Sequence, residues 1–382
     1  MIIYILIFSY ILFCVWNTDV RGKRKYARVN YYVLFAIFVL FAGLRYKIGG
    51  DTLNYMETWK AYPDIWNFHW ADDIAHLRQQ RVFMRYQTGW ILYAMLIKGL
   101  FGSYFALQFI SSLLLNWGVF HAIRRYSPYP FLTLLFYFMT FNFYQLEFEV
   151  ARECVAVGVF LLISFDNWVR KRWVLYYVGV AIAFSIHISA VVMFIFPVMR
   201  YVKWSMRQYL LFLILPVLVV AVSGRILLND LLTQLTAADE AMNMYQTRTL
   251  DDVYNNNYVI STLYTPAFVL GMILLWRKRM EEQLMPVVWF TLALFIMALF
   301  DFDCVRFANF IIIPFFAALT PAVYRLVKES KTVWIAALLF IGYSLPQIYV
   351  VYRGGDMSWS RYFPYQSVIY PHQSAAQQKY WK

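Results

Sequence analysis

The sequence predicts an all-α, polytopic membrane protein with about 12 transmembrane helices in a single integral membrane domain over residues 1–382. Three observations predict it. Of the 382 residues, 62% are hydrophobic and only 14% charged, against roughly 45–50% and about 25% in soluble domains. The apolar residues fall into runs of span length along the whole chain. Basic residues cluster in short loops between those runs. This composition excludes a soluble enzyme, a disordered chain and a nucleic-acid-binding domain of ordinary make-up. The net charge of +13 therefore reads as cytoplasmic loops, not as a nucleic-acid partner.

The runs lie near 2–16, 30–44, 104–123, 129–144, 150–166, 174–186, 188–200, 209–223, 258–276, 284–300, 306–325 and 333–350. The first has its basic residues after it, the reverse of a secretory signal, so a retained helix is expected. Basic clusters sit at Arg21 to Arg28, Arg124 and Arg125, Arg170 to Arg172, Arg200 to Arg207, Arg277 to Arg279, and Arg325 to Lys331. If all are cytoplasmic, the chain crosses an even number of times between neighbours. That settles two ambiguous segments. Residues 88–101 carry Lys98 and become a helix on the outer surface. Residues 174–200 become two short passes with His187 near the bend; the rival is a single tilted helix, which would put the Arg200 to Arg207 cluster outside. The 45–103 loop, the 224–257 loop and the 353–382 tail then lie on the extracytoplasmic side. Cys14, Cys154 and Cys304 form no CxxC and indicate neither a disulfide framework nor a zinc site. Trp and Tyr at span ends read as interfacial belts.

Charged groups at the outer span ends are the candidate site, because burying them is costly without a partner or ligand. The first block runs from Arg45 through Lys47, Gly49, Gly50 and Asp51 to Tyr55. Its glycines permit a tight turn. It is equally readable as snorkelling cations with Asp51 capping the next helix. The second block holds Glu147, Glu149, Arg152 and Glu153, the last three on one helical face by their spacing. It reads as an ion cluster or as an anion site helped by Arg45 or Arg306. The third holds Asp301, Asp303 and Arg306. The fourth is His187, either a hydrogen-bonded core residue or a general base or phosphate partner. Guanidinium suits phosphate through its bidentate, permanently charged fork, so the three arginines suit a lipid-linked pyrophosphate. No P-loop, Rossmann glycine run, HExxH or G-x-S-x-G is present.

At these residues the sequence resembles the EpsG family, Wzy-like polymerases of exopolysaccharide and capsule. Arg45, Gly50, Asp51 and Tyr55 resemble that family's arginine, glycine-aspartate, tyrosine pattern. Arg152-Glu153-Cys154-Val155-Ala156 resembles its Arg-Gln-x-x-Ala element, with Glu153 for Gln. Phe184 to Ala190 resembles its Phe-His-x-Ser-Ala stretch, and Arg306-Phe307 its late arginine-aromatic element. Gln87 stands where a Glu is expected before a glycine-aromatic pair, here Gly89-Trp90. The resemblance implies a fold related to GT-C membrane glycosyltransferases, with a catalytic Asp in the first outer loop.

It further implies a bacterial inner-membrane, multi-pass polymerase whose site faces the periplasm or exterior. Such an enzyme transfers a growing glycan from polyprenyl (undecaprenyl) pyrophosphate onto a lipid-linked repeat unit. In that reading Arg45, Arg152 and Arg306 hold pyrophosphate, and Asp51 or His187 takes the acceptor proton. Tyr55, Glu149, Glu153, Asp301 and Asp303 support them. No cofactor is required, although Asp51, Asp301 and Asp303 leave room for Mg2+. The 224–257 loop would close over the acceptor. Expected partners are the polyprenyl-pyrophosphate-linked oligosaccharide, membrane lipid, and a chain-length regulator or flippase of the same pathway, with no nucleic acid. The rival from another class is a flippase of the same lipid-linked sugar. It should show inverted repeats and mid-membrane charges, which the sequence lacks.

Overall fold

The computed structural model describes residues 2–63, 86–201, 282–297, 304–328 and 360–374, with short isolated stretches between them. Among these the fold is all-helical, and extended pairing is limited to isolated bridges of Ser367 with Arg45 and with Tyr370. The helices are α1 (Ile2–Cys14), α2 (Ala27–Gly43), α3 (Thr52–Ala61), α4 (Thr88–Phe101), α5 (Tyr104–Tyr126), α6 (Pro130–Phe138), α7 (Phe141–Tyr144), α8 (Ala151–Val159), α9 (Trp173–Ile186), α10 (Met285–Met297), α11 (Cys304–Ala308) and α12 (Ile312–Lys328). Two wider, π-type turns lengthen these: α1 runs on through Val15–Val20, and α8 through Phe160–Phe165 into Asp166–Val169.

Two helices, Ile2–Val20 and Tyr104–Tyr126, are long and apolar enough to cross a bilayer. The helical segments Ala27–Gly43, Thr88–Phe101, Trp173–Ile186, Ile188–Arg200, Met285–Met297 and Ile312–Arg325 are apolar but shorter. The boundaries follow local chemistry. Ser103 starts α5 by accepting from Phe105 N at 3.2 Å. Arg124 and Arg125 close its last turn, where cations meet the negative helix end. Pro130 opens α6, where its missing N–H costs nothing, and Asp19 Oδ2 accepts from Leu132 N at 2.7 Å.

Helices α5 and α8 cross in close contact. A Cβ on Gly158 would come within 2.8 Å of Leu114 O, and one on Gly118 within 2.9 Å of Gly158 O. Small residues allow such backbone approach in membrane bundles. The crossing holds α8, which carries Arg152 and Glu153 of the second charged block, against α5.

Two of the expected spans are interrupted. The run 129–144 breaks at Met139 and Thr140 before α7. The run 306–325 breaks at 309–311, between α11 and α12. The run 150–166 is helical from Ala151 onward and is set off from the preceding turn by Val150, whose ψ of 70° leaves the helical region. The chain does reverse at His187, which is extended (φ −145°, ψ 128°). Beyond it 3-10 turns Ile188–Phe194 and Phe196–Arg200 run back along α9. The Tyr177 ring stacks on Phe194 at 6.2 Å, and Arg200 Nη2 donates to Val169 O at 3.1 Å. Arg200 therefore ends beside the Arg170 to Arg172 cluster, as two passes through 174–200 require. The expected spans at 209–223, 258–276 and 333–350 and the 224–257 loop lie outside the described residues, apart from single positions.

Candidate functional site

The first block forms a turn between α2 and α3. Gly49 has φ +100°, and a Cβ there would lie 1.8 Å from Phe148 O, so this position accepts only glycine. Thr52 Oγ1 donates to Ile48 O at 2.6 Å and closes the turn. The turn sets half-buried Asp51 at the start of α3. One helical turn on, the buried Tyr55 lies within electrostatic reach of both Asp51 and Arg152.

Arg152 is held by three groups from the 45–103 region. Its Nη1 donates to Gln87 Oε1 at 3.3 Å, its Nε reaches Tyr55 OH at 3.5 Å, and its guanidinium lies 4.4 Å from the Tyr86 ring centroid. Across from it stands His187, whose Nδ1 pairs with Ser189 Oγ at 2.6 Å. Burial pushes the His187 pKa well below that of ordinary imidazole, and the charges of Arg152 and Arg306 push it further down. Arg152, Arg306 and His187 thus share one locus. It is assembled from α8, α11 and the bend after α9. Because α11 packs on the Ile188–Phe194 turns, Arg306 is brought to the bend.

The second block does not present one face. The break at Val150 separates Glu149 from the helix that carries Arg152 and Glu153. Each carboxylate is therefore committed elsewhere, as burial demands. Glu149 Oε1 accepts from Tyr362 OH at 2.6 Å and lies 3.6 Å from Arg361 Nη1. Glu153 Oε1 accepts from Asn309 Nδ2 at 2.8 Å. Asn309 also accepts from Asn142 at 2.6 Å and donates to Gln145 at 3.3 Å, joining three breaks in the helices into one polar network. Glu147 accepts from Asn116 at 3.0 Å and Tyr137 at 3.2 Å, and burial raises its carboxyl to about 8.

Arg45, the third arginine expected to hold pyrophosphate, makes hydrogen bonds within its own turn. It is 4% exposed, and its Nη1 and Nε donate to Ala42 O at 2.7 Å and Ile48 O at 3.3 Å. The guanidinium satisfies Ala42 O at the end of α2, which no helical N–H reaches, and Ile48 O in the turn that follows. It faces the Glu147 side of the bundle, against a void of about 10 Å³. Asp301 and Asp303 lie outside the described residues, so their expected support is not described. Among the described residues no group of three or more His, Cys, Asp or Glu gathers as a metal cluster.

The tail is part of the site. Tyr46 N donates to Gln366 O at 3.0 Å, Val368 N to Leu44 O at 2.8 Å, and Gly49 N to Arg361 O at 3.1 Å. These bonds lay residues 361–368 across the Asp51 turn. Arg361 and Tyr362 are thereby site neighbours that sequence reasoning missed, as it missed Tyr86 and Asn309. Arg361 and Tyr362 stand in a tail with several other cations and aromatics, so nothing in the sequence singled them out. Gln87 was visible, through its place before Gly89-Trp90.

The EpsG family model matches residues 28–367. No curated protein and no solved structure matches the chain. The match spans most of the 382 residues, and the chain belongs to the EpsG family. That membership gives it a polysaccharide-polymerase-like role, and with the apolar helices it marks a membrane protein.

Proposed function

We propose that this EpsG-family chain is a polytopic membrane glycan polymerase with a GT-C-related fold and about 12 spans. The donor is a glycan on polyprenyl pyrophosphate and the acceptor a lipid-linked repeat unit, both at the extracytoplasmic face of the inner membrane. The observation that carries this reading is the convergence of Arg152, Arg306 and His187 beside the Asp51 turn. Two guanidinium groups at one locus suit a diphosphate leaving group, whose charge grows as the glycosidic bond breaks. Arg45 is left out of this set because its Nε and Nη1 donate to backbone carbonyls of its own turn.

The same electrostatics divide the remaining roles. An imidazole beside two arginines resists protonation, so His187 makes a poor base and a good neutral hydrogen-bond partner for phosphate. Asp51 takes the acceptor hydroxyl proton as the acceptor oxygen attacks the anomeric carbon and polyprenyl pyrophosphate departs. Tyr55, next to both Asp51 and Arg152, positions one against the other.

The test is purified chain with lipid-linked repeat units in detergent, where no second compartment exists. Longer glycans support a polymerase. No elongation, with movement of the unit across reconstituted vesicles, would make the protein a transporter instead.

A further inference from the structure

A second site lies at the other end of α2 and α5 from Asp51. The ends of the two longest apolar helices meet the start of α2 there, around an open cavity of about 510 Å³. Arg24, Arg28 and Arg124 line it, with Tyr31, Tyr32 and Tyr129. Arg124 Nη1 donates to Tyr32 OH at 3.0 Å, and the Arg28 guanidinium lies 5.9 Å from the Tyr32 ring centroid, so the tyrosine gathers two of the cations. Asp19 is the acidic group in the lining, and its carboxylate is turned into the start of α6, where Leu132 N donates to it. The three arginines therefore have an excess of positive charge facing the cavity.

The cavity does not stop at the cations. A groove of about 400 Å³ shares Tyr31, Tyr32 and Arg124 with it and runs along α2 and α5 over Phe35, Leu113, Trp117 and Phe120. Trp117 is 58% exposed there. The result is one continuous depression with a cationic, hydroxyl-bearing end and an apolar trough. It lies on the flank of Tyr104–Tyr126, one of the two helices able to cross a bilayer.

We infer that this depression binds an anionic bilayer phospholipid, its phosphate between Arg28 and Arg124 and an acyl chain along Phe35, Trp117 and Phe120. Charge complementarity selects an acidic headgroup, and the trough requires an attached hydrocarbon chain, which a free anion lacks. Basic pockets between spans are where such headgroups are held. The site is separate from the Asp51 locus and stands whether or not the polymerase reading does.

The test is native mass spectrometry of the full chain, delipidated and then exposed to lipid. Phosphatidylglycerol should be retained and phosphatidylcholine released. Arg28→Ala and Arg124→Ala should each weaken retention about fivefold, and the pair about 25-fold. Trp117→Ala should weaken it by severalfold, as lost apolar contact. Arg170→Ala with Lys171→Ala, basic positions outside the cavity, should leave it unchanged. Equal retention of the two phospholipids overturns the proposal, as does equal loss in the Arg170–Lys171 pair, which would mean general surface charge. Displacement by inorganic phosphate would reduce the site to an anion site without a chain. Stronger retention of polyprenyl phosphate than of phosphatidylglycerol would assign it to a pathway lipid instead.

Discussion

Tyr362 OH donates to Glu149 Oε1 at 2.6 Å across 213 residues of sequence, tying the tail to the segment just before α8. Burial raises the Glu149 pKa, and the bond from Tyr362 and the charge of Arg361 oppose that rise. Asp51 acts on Glu149 in the opposite sense to Arg361, so the tail favours the charged form of Glu149 beside Asp51. Tyr362→Phe should therefore raise the Glu149 pKa further and make elongation more pH-dependent, with abundance near wild type. A pH–rate profile unchanged from wild type would make the contact purely structural.

The arginines should separate by kind. Arg152→Lys and Arg306→Lys keep the charge and lose the fork, so elongation should fall about 10- to 100-fold with protein levels near normal. Arg45→Lys should instead lower abundance, because it strips donors from Ala42 O and Ile48 O in a buried turn. Quantifying polymer and protein side by side checks both. Normal abundance with lost polymer at Arg45→Lys would return Arg45 to the pyrophosphate site.

Gly49→Ala should prevent folding of the Asp51 turn, at a cost of more than about 2 kcal/mol. The backbone sits at φ +100° and the new methyl would strike Phe148 O. Gly102→Ala is the control, since φ is also positive but a Cβ there meets nothing within 4 Å. Abundance should collapse for the first and fall modestly for the second.

Glu147 gives a pH signature. Its folded pKa of about 8 lies above the ordinary value of 4.5, so the proton is held more tightly when folded. The stability this gives is complete below about pH 4.5 and is lost as pH rises toward 8. Thermal unfolding in detergent should show the midpoint falling from pH 5 to 8. In Glu147→Gln, which stays neutral, that fall should shrink. An equal slope in the two proteins would assign the dependence to other groups.

The apolar runs made the all-helical architecture legible, and the requirement of an even number of crossings between basic clusters made the reversal at His187 legible. What spacing does not carry is how buried polar groups are satisfied. Glu149, Arg152 and Glu153 sit at helical intervals, yet Val150 breaks the helix and sends their side chains to Tyr362, Gln87 and Asn309. Each partner lies 65 to 213 residues away in sequence, and no local pattern encodes such a pairing. The backbone partners of Arg45 were equally invisible in the sequence. A cation at a span end is ambiguous until its donors are counted against nearby carbonyls.

The central claim is that Asp51 is the base and the Arg152–Arg306–His187 locus holds the leaving group. It is tested most directly by elongation of lipid-linked repeat units by purified Asp51→Asn in detergent, with repeat-unit binding measured on the same sample. General bases contribute about 10²–10⁴-fold, so elongation should fall by that factor while binding stays within about twofold of wild type. Elongation near the wild-type rate in Asp51→Asn would contradict the account.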